Sequence, residues 1–394
     1  MISEKMIALG EQRSKIREIA EYGWQRKALL GAENVFDFSL GNPSIPAPPS
    51  VTASIARLLQ EKDACALHGY TSSAGDAKVR QTIADSIHRR FSFPAKAEYI
   101  YMTCGAAASL TIAFHALLNP SDEVVVLAPF FPEYRVFVEK AGGVLVEAPC
   151  VAPSFQPDLE ALARCVTAKT KAVLINSPNN PTGAVYSEEC LRSLAEILKE
   201  KEKEFGTEIY LVADEPYREL YYGKEGVPYL PCLYDRCLVA YSYSKSLSLP
   251  GERIGYLMVS PDMPRADKVF AAVCGAGRSL GFVCAPSLWQ YVIGENCEKT
   301  SEILLYQKNR DRLYQALVAM GYEVTPPDGA FYLFVKSPDV SAEAFCEKAK
   351  KYEILLVPSD SFGVKGYVRI AYCTSPETIE RALPAFEQLM REYR

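Results

Sequence analysis

Between about residue 100 and residue 260 the sequence alternates short β-rich runs with longer helical patterns, and this alternation limits the possible folds more than any other feature. Parallel strands need a crossover connection, usually a helix, so the alternation is typical of βα units. The sequence therefore predicts an α/β fold with a mostly parallel sheet sandwiched by helices. Strands are predicted at residues 99–102, 123–127, 172–175, 209–212, 238–241 and 254–259, and helices at 105–118, 132–141 and 187–205.

The chain of 394 residues is longer than one hydrophobic core usually supports, which indicates a large unit and a smaller one. Residues 40–49 include four prolines and are predicted to form an extended connector. The pattern at 286–320 is predicted to contain a helix that leaves the large unit, with strands at 331–335, 354–357 and 367–371 and a final helix at 375–393. We expect a small α+β domain built from both chain ends, 1–45 and 286–394, around a large domain at 46–285.

Charge and cysteine usage argue against several classes of protein. The net charge of -5 disfavours a nucleic-acid-binding protein. The 12 cysteines are scattered without a Cys-x-x-Cys pair, which favours reduced thiols over disulfides or a metal site. Neither a signal-peptide core nor an apolar run of membrane-spanning length is found. We expect a cytoplasmic protein without a metal, nucleic-acid or membrane partner.

Polar segments follow four of the predicted strands. In open parallel sheets the ligand crevice lies outside the carboxyl ends of the strands, so these segments are the candidates for a functional site. They are residues 103–109 (Thr-Cys-Gly-Ala-Ala-Ala-Ser), 176–183 (Asn-Ser-Pro-Asn-Asn-Pro-Thr-Gly), 213–217 (Ala-Asp-Glu-Pro-Tyr) and 242–256 (Ser-Tyr-Ser-Lys-Ser-Leu-Ser-Leu-Pro-Gly-Glu-Arg-Ile-Gly-Tyr).

In this order and at these spacings, the four segments resemble those of the class I and II aminotransferases, which belong to the fold-type-I family of enzymes dependent on pyridoxal 5′-phosphate. The resemblance runs from about residue 40 to the carboxyl terminus and is closest to the aspartate and aromatic aminotransferases. It implies a large domain that binds the cofactor, a smaller domain, and a homodimer whose subunits share the active site.

The resemblance implies that Lys245 holds the cofactor covalently and later acts as general base. An attacking amine must be unprotonated, and burial together with the nearby Arg253 is expected to lower its pKa. A surface lysine in a serine-rich loop is the competing interpretation. Asp214 is the carboxylate implied beside the pyridine nitrogen, with a helix cap as its alternative role and Glu215 as the competing carboxylate. Tyr217 is implied to hydrogen-bond the phenolic oxygen of the ring.

The cofactor's phosphate and ring need further partners. A helix start of small residues, hydroxyls and a guanidinium suit a phosphate, and the residues implied as its ligands are Gly105, Ala106, Ala107, Ser242, Ser244 and Arg253. Phe131 matches the position that stacks on the ring, although a core aromatic residue in a turn is an equal alternative from the local sequence. Tyr70 matches a tyrosine that reaches the phosphate of the neighbouring subunit.

The substrate's α-carboxylate is implied to bind Arg369, in the predicted strand 367–371, and the backbone at Gly41. The alternation of Arg369 with Val368 and Ile370 places it on the face opposite those two residues. Asn180 is implied to contact both the cofactor ring and the substrate. A second arginine for a dicarboxylate side chain, Arg278, is only loosely matched, and a structural ion pair is its alternative role.

The implied activity is transfer of an amino group from an L-amino acid, of the aspartate or aromatic type, to an oxo acid such as 2-oxoglutarate, with ping-pong kinetics. A pyridoxal phosphate-dependent C–S β-lyase of the cystathionine lyase type is the enzymatic alternative. A non-catalytic regulator with an aminotransferase-like domain is disfavoured, because only about 40 residues precede Gly41 and the overall charge is acidic.

Overall fold

The computed structural model describes residues 2–11 and 14–394 and confirms the predicted α/β fold. Its strands are, in chain order, β1 (Phe36–Asp37), β2 (Ile100–Thr103), β3 (Glu123–Ala128), β4 (Val144–Val151), β5 (Gln156–Pro157), β6 (Thr170–Asn176), β7 (Tyr210–Asp214), β8 (Cys237–Ser242), β9 (Gly255–Val259), β10 (Val324–Thr325), β11 (Tyr332–Lys336), β12 (Ile354–Leu355), β13 (Val357–Pro358) and β14 (Tyr367–Ala371).

Helices alternate with the strands along most of the sequence. They are α1 (Glu4–Glu11), α2 (Lys15–Leu30), α3 (Pro49–Glu61), α4 (Ala64–His68), α5 (Ala77–Phe91), α6 (Ala106–Leu117), α7 (Glu133–Lys140), α8 (Leu159–Cys165), α9 (Glu188–Phe205), α10 (Tyr243–Ser246), α11 (Ala266–Ser279), α12 (Ser287–Asn296), α13 (Ile303–Ala319), α14 (Ala342–Ala349) and α15 (Pro376–Arg391). No helix of the described ranges is long and apolar enough to cross a membrane.

The large sheet has eight strands in the order β2-β9-β8-β7-β6-β3-β4-β5. The five central strands from β8 to β4 are mutually parallel, whereas β9, β2 and the edge strand β5 run antiparallel to their neighbours. The polar segments after β6, β7 and β8 therefore meet at one edge of the sheet. The sheet is mostly parallel, as predicted.

Both faces of this sheet are covered, so its central strands are apolar at successive positions rather than at alternate ones. Within β6, Val173 and Ile175 pack into the core on one face, and Ala172 and Leu174 pack into the core on the other. Every residue of β7 and of β8 is buried. Because these strands are held on both faces, the residues at their ends have little freedom to move.

The small sheet is antiparallel, in the order β10-β11-β14-β13, and packs against α13, α14 and α15. Close to it, β1 pairs in parallel with β12, with Phe36 opposite Ile354. This pairing joins the amino-terminal part of the chain to the carboxyl-terminal part, in agreement with a small unit built from both chain ends. The exact boundaries at residues 45 and 285 stay a proposal.

The pattern at 286–320 forms two helices, α12 and α13, and α12 still packs Val292 and Ile293 into the core beside the large sheet. The helix that passes to the small sheet is therefore α13. The proline-rich connector is non-helical up to residue 48, and α3 begins at Pro49, where a proline's missing N–H leaves no helical hydrogen bond unmade. The strands β4 and β5 were not predicted.

Candidate active site

A cavity of about 280 Å³ lies at the carboxyl ends of β6, β7 and β8, close to the lower end of the range for small-molecule sites. The small sheet contributes side chains to its wall from β11 and β14. Twelve of the residues predicted from the sequence line it: Gly41, Ala106, Ala107, Phe131, Asn180, Asp214, Tyr217, Ser242, Ser244, Lys245, Arg253 and Arg369. Residues up to 328 positions apart in the chain are thus brought into one site.

Asp214, the last residue of β7, is buried. Its Oδ2 accepts a hydrogen bond of 2.5 Å from the hydroxyl of Tyr134, and the amide nitrogen of Asn176 lies 3.5 Å from the same oxygen. Its Oδ1 is buried without a partner among the described residues. Burial raises the pKa of Asp214 to about 7, although the Tyr134 hydroxyl acts in the opposite direction. The competing carboxylate Glu215 is instead paired with Arg218, and neither residue lines the cavity.

Lys245 lies in the short helix α10, directly after β8, and its Nζ donates a hydrogen bond of 2.6 Å to the carbonyl oxygen of Gly41. Burial, which has the largest effect, and the positive charges of Arg253 and Arg369 together lower the pKa of the Lys245 ammonium to about 8, although Cys373 acts in the opposite direction. Both expected causes are present, and the interpretation as a solvent-exposed lysine does not agree with this position. An amine with such a pKa is partly unprotonated near neutral pH.

Arg369 is buried on β14, at 2% exposure. It donates to the carbonyl oxygen of Ser39 at 2.6 Å and to the amide oxygen of Asn180 at 3.0 Å, while its Nε is buried without a partner among the described residues. Two donors therefore set the orientation of the guanidinium plane and a third is left unpaired. Because an unpaired buried donor is costly, this Nε is suited to an anionic ligand.

The amino end of α6 borders the other side of the cavity. Gly105 precedes the helix with a φ of 87°, a conformation that L side chains rarely adopt, and no side chain caps the helix. A Cβ at this position would lie 2.9 Å from the guanidinium of Arg253, so glycine also allows that group to approach. Gly105 itself does not line the cavity, whereas Ala106 and Ala107 do.

The hydroxyls of Ser242 and Ser244 lie 2.7 Å apart beside this helix end. Together with Arg253 and the uncapped amides of α6 they form a group of donors that suits an anion. Arg253 has a left-handed φ of 53° and donates to the carbonyl oxygen of Pro250 at 2.9 Å. This strained backbone conformation brings the guanidinium of Arg253 beside the amino end of α6.

Tyr70 and Arg278 do not line the cavity. Tyr70 is 89% exposed, which is unusual for a large aromatic side chain. Arg278, in the last turn of α11, is also exposed. Neither residue is among those that line the cavity.

Eight further residues that line the cavity were not predicted as site residues: Ile16, Leu110, Tyr134, Phe137, Asn176, Pro216, Pro250 and Tyr332. Asn176, the last residue of β6, begins the polar segment 176–183, and Tyr134 lies three positions after Phe131 on the first turn of α7, so both had a local signal. Ile16 and Tyr332 enter from α2 and from the small sheet. Their place in the site depends on packing between distant parts of the chain.

Known proteins resemble the chain over nearly its whole length. The family model described as aminotransferase class I and II matches residues 33–386. The aspartate aminotransferase of Thermotoga maritima is 33% identical over 384 residues, covering 95% of this chain and 97% of that protein. The aspartate/prephenate aminotransferase of Thermus thermophilus is 30% identical, covering 89% of each. An aminotransferase structure from Eubacterium rectale has a TM-score of 0.98 and 50% identity, covering 100% of this chain and 99% of that one.

Proposed function

The chain belongs to the class I and II aminotransferases and is a transaminase, and from this we propose that it binds pyridoxal 5′-phosphate through Lys245 and transfers the amino group of an L-amino acid to 2-oxoglutarate. Bound in the site, the cofactor supplies an aldehyde that takes up the amino group and a ring that withdraws electrons from the substrate's Cα. The observation that carries the proposal is the buried, unpartnered Oδ1 of Asp214 at the end of β7.

The residues of the cavity fit this cofactor. An unpaired buried carboxylate oxygen suits a protonated ring nitrogen, whose positive charge would restore the ionised form of Asp214. The donors at the amino end of α6, Ser242, Ser244 and Arg253 suit a phosphate. Phe131 lines the cavity and offers an aromatic face to the ring. The amine of Lys245 is on the same wall, with the low pKa that attack on an aldehyde requires.

The substrate's α-carboxylate would bind Arg369, whose Nε has no partner among the described residues and whose Nη1 and Nη2 each donate one hydrogen bond, to the amide oxygen of Asn180 and to the carbonyl oxygen of Ser39. Binding there presents the Cα hydrogen toward Lys245, which accepts that proton once it is free. The carbonyl oxygen of Gly41 lies 2.6 Å from Nζ and keeps the free amine oriented. The hydroxyl of Tyr217 and the amide of Asn180 line the cavity and would hydrogen-bond the cofactor's phenolic oxygen.

Two donor classes remain in the proposal, aspartate and aromatic amino acids. The names of the relatives include aspartate and prephenate. Among the described residues, the cations that line the cavity are Lys245, Arg253 and Arg369, all with roles above, and Ile16, Leu110 and Phe137 are apolar parts of its wall. An aromatic side chain suits this wall, whereas an acidic one would require a cation beyond these three.

We extend the proposal to a homodimer in the cytoplasm. The exposed Tyr70 is the residue expected to reach the phosphate of the other subunit, and its 89% exposure leaves it available for such a contact. All 12 cysteines are free, which supports a reducing compartment.

Steady-state kinetics with a panel of donors tests the activity. Aspartate, phenylalanine and tyrosine are each varied at several fixed concentrations of 2-oxoglutarate, and parallel double-reciprocal lines are expected for a reaction in which the first product leaves before the second substrate binds. L-Cystathionine is assayed alongside, and formation of pyruvate and ammonia at a rate above that of transamination would contradict the proposal.

Borohydride reduction of the holoenzyme tests the covalent link. Peptide mass spectrometry is expected to find the reduced cofactor on Lys245 and to find none in a Lys245→Ala variant. An adduct on another lysine, or no adduct in the wild type, would contradict it.

A further inference from the structure

One aromatic ring joins the three segments of the site that hold the cofactor and the substrate. Tyr332, the first residue of β11, is buried at 2% exposure and lines the cavity. It contacts the residue proposed to bind the cofactor's oxygen, the arginine proposed to bind the substrate's carboxylate, and the backbone that holds Lys245.

The contact with Tyr217 is a hydrogen bond between hydroxyl groups. The two oxygens lie 2.9 Å apart, and the two rings meet at 77° with centroids 5.8 Å apart. In such a pair one hydroxyl donates and the other accepts. If the Tyr217 hydroxyl is to donate its proton to a ligand in the cavity, the Tyr332 hydroxyl must be the donor in the hydrogen bond between the two tyrosines.

The contact with Arg369 follows from the register of the small sheet. Phe334 lies opposite Arg369 across the antiparallel pair, so Tyr332 is the diagonal neighbour on the same face. The guanidinium carbon of Arg369 lies 4.6 Å from the centroid of the Tyr332 ring. A buried cation over an aromatic face is stabilised, and its plane is held in position.

The contact with Gly41 explains why that position is a glycine. A Cβ built there would lie 2.0 Å from the hydroxyl oxygen of Tyr332, closer than two non-bonded heavy atoms can approach. The φ of Gly41 is not in the left-handed region, so close approach is the reason for glycine. The Tyr332 hydroxyl therefore packs directly against the backbone whose carbonyl accepts from Lys245.

We propose that Tyr332 is a positioning residue whose hydroxyl sets the donor direction of Tyr217 and whose ring supports Arg369. This inference rests on the proposed use of pyridoxal 5′-phosphate. The two parts of the Tyr332 side chain act on different ligands. The hydroxyl acts on the cofactor through Tyr217, and the ring acts on the substrate's carboxylate through Arg369. A variant that removes only the hydroxyl therefore separates them.

Tyr332→Phe tests the hydroxyl. The readout is the pH titration of the bound cofactor's visible absorbance in the holoenzyme without substrate. We expect the midpoint to rise by about one pH unit, because one unit corresponds to the free energy of one hydrogen bond. KM for the amino donor should stay within about twofold, since the ring over Arg369 is retained.

Tyr332→Leu tests the ring. It removes the aromatic face as well, so we expect the same change in the absorbance midpoint together with an increase in KM of about tenfold. Tyr234→Phe is the matched control, because Tyr234 is equally buried and its hydroxyl donates to the carbonyl oxygen of Ile209 at 2.9 Å, outside the site. Its titration should match the wild type.

A substitution at Gly41 moves the Tyr332 hydroxyl without removing it. Gly41→Ala would displace the Tyr332 hydroxyl, and the absorbance midpoint should rise as in Tyr332→Phe. In a Tyr217→Phe background, Tyr332→Phe should add no further change, since the effect passes through Tyr217. The second result also excludes a merely structural role.

The outcomes separate the two proposals. A wild-type protein with no visible absorbance after reconstitution would contradict the proposed function. A normal wild-type band, together with unchanged titrations in both Tyr332→Phe and Gly41→Ala, would leave the proposed function intact and overturn the role of Tyr332.

Discussion

The hydroxyl of Tyr134 donates a 2.5 Å hydrogen bond to Oδ2 of Asp214, from a helix on the far side of the cavity and 80 residues away in the chain. The other carboxylate oxygen is buried and has no partner in the part of the chain that the structure describes. The bond holds the carboxylate in one orientation, and the free oxygen gives it a strong preference for a cationic ligand.

We predict that burial of Asp214 makes the cofactor-free protein less stable as pH rises. Its pKa in the folded protein is about 7, above the ordinary value of 3.8, so the folded state binds the proton more tightly than the unfolded state. The contribution to stability is complete below about pH 4 and is lost as pH rises to about 7, a difference of about 4 kcal/mol. Urea unfolding of wild type and Asp214→Asn at several pH values measures it.

The Asn variant has no charge to bury, so its stability relative to wild type should increase across that pH range. Saturating pyridoxal 5′-phosphate should reverse the order at pH 8, because the cofactor binds the ionised carboxylate. Parallel pH profiles for the two cofactor-free proteins would show that Asp214 is not the group that titrates.

The pKa of the Lys245 amine predicts how the rate of covalent cofactor binding depends on pH. Its pKa of about 8 means that the reactive, unprotonated fraction increases about tenfold per pH unit below that value and levels off above it. Stopped-flow absorbance of cofactor-free protein mixed with pyridoxal 5′-phosphate, from pH 6 to pH 10, measures the rate. A rate that still increases above pH 10 would indicate an ordinary surface lysine, and Lys245→Ala should give no covalent signal.

Arg253 is predicted to recognise the phosphate and not the ring. Arg253→Gln removes one charge-assisted contact, so affinity for pyridoxal 5′-phosphate should fall by about 10- to 100-fold. Affinity for pyridoxal, which lacks the phosphate, should stay the same. Equilibrium dialysis with both compounds measures the effect, and Arg278→Gln is the control because Arg278 is exposed and lies outside the cavity. An equal loss for both compounds would indicate that Arg253 supports the fold of the pocket.

Tyr70 is predicted to complete the active site of the other subunit. Lys245→Ala and Tyr70→Ala protomers are each expected to be impaired alone. In a hybrid dimer one site combines an intact Lys245 with the partner's intact tyrosine, so unfolding and refolding an equal mixture should restore about one quarter of wild-type activity. If Tyr70 acted within its own subunit, the hybrid would contain no complete site and mixing would restore nothing.

Several strands could be predicted because their information is local. The predicted strand at 367–371 has the bounds of β14, and the predicted strands at 172–175 and 238–241 lie inside β6 and β8. Buried parallel strands are continuous apolar runs, and the chain leaves each one through polar residues. In contrast β4 was missed, because four of its eight residues are exposed without a regular alternation and Pro149 interrupts the pattern.

The motifs by themselves determined the candidate site, because residues at the carboxyl ends of parallel strands must meet at one edge of a sheet whatever the details of packing. Only the tertiary structure decided which polar atoms within that site are paired and which are free. The bonds of Asp214 with Tyr134, of Arg369 with Ser39 and of Tyr217 with Tyr332 join residues 80, 330 and 115 positions apart. No local pattern encodes such contacts, since each forms only when distant parts of the chain pack together around the cavity.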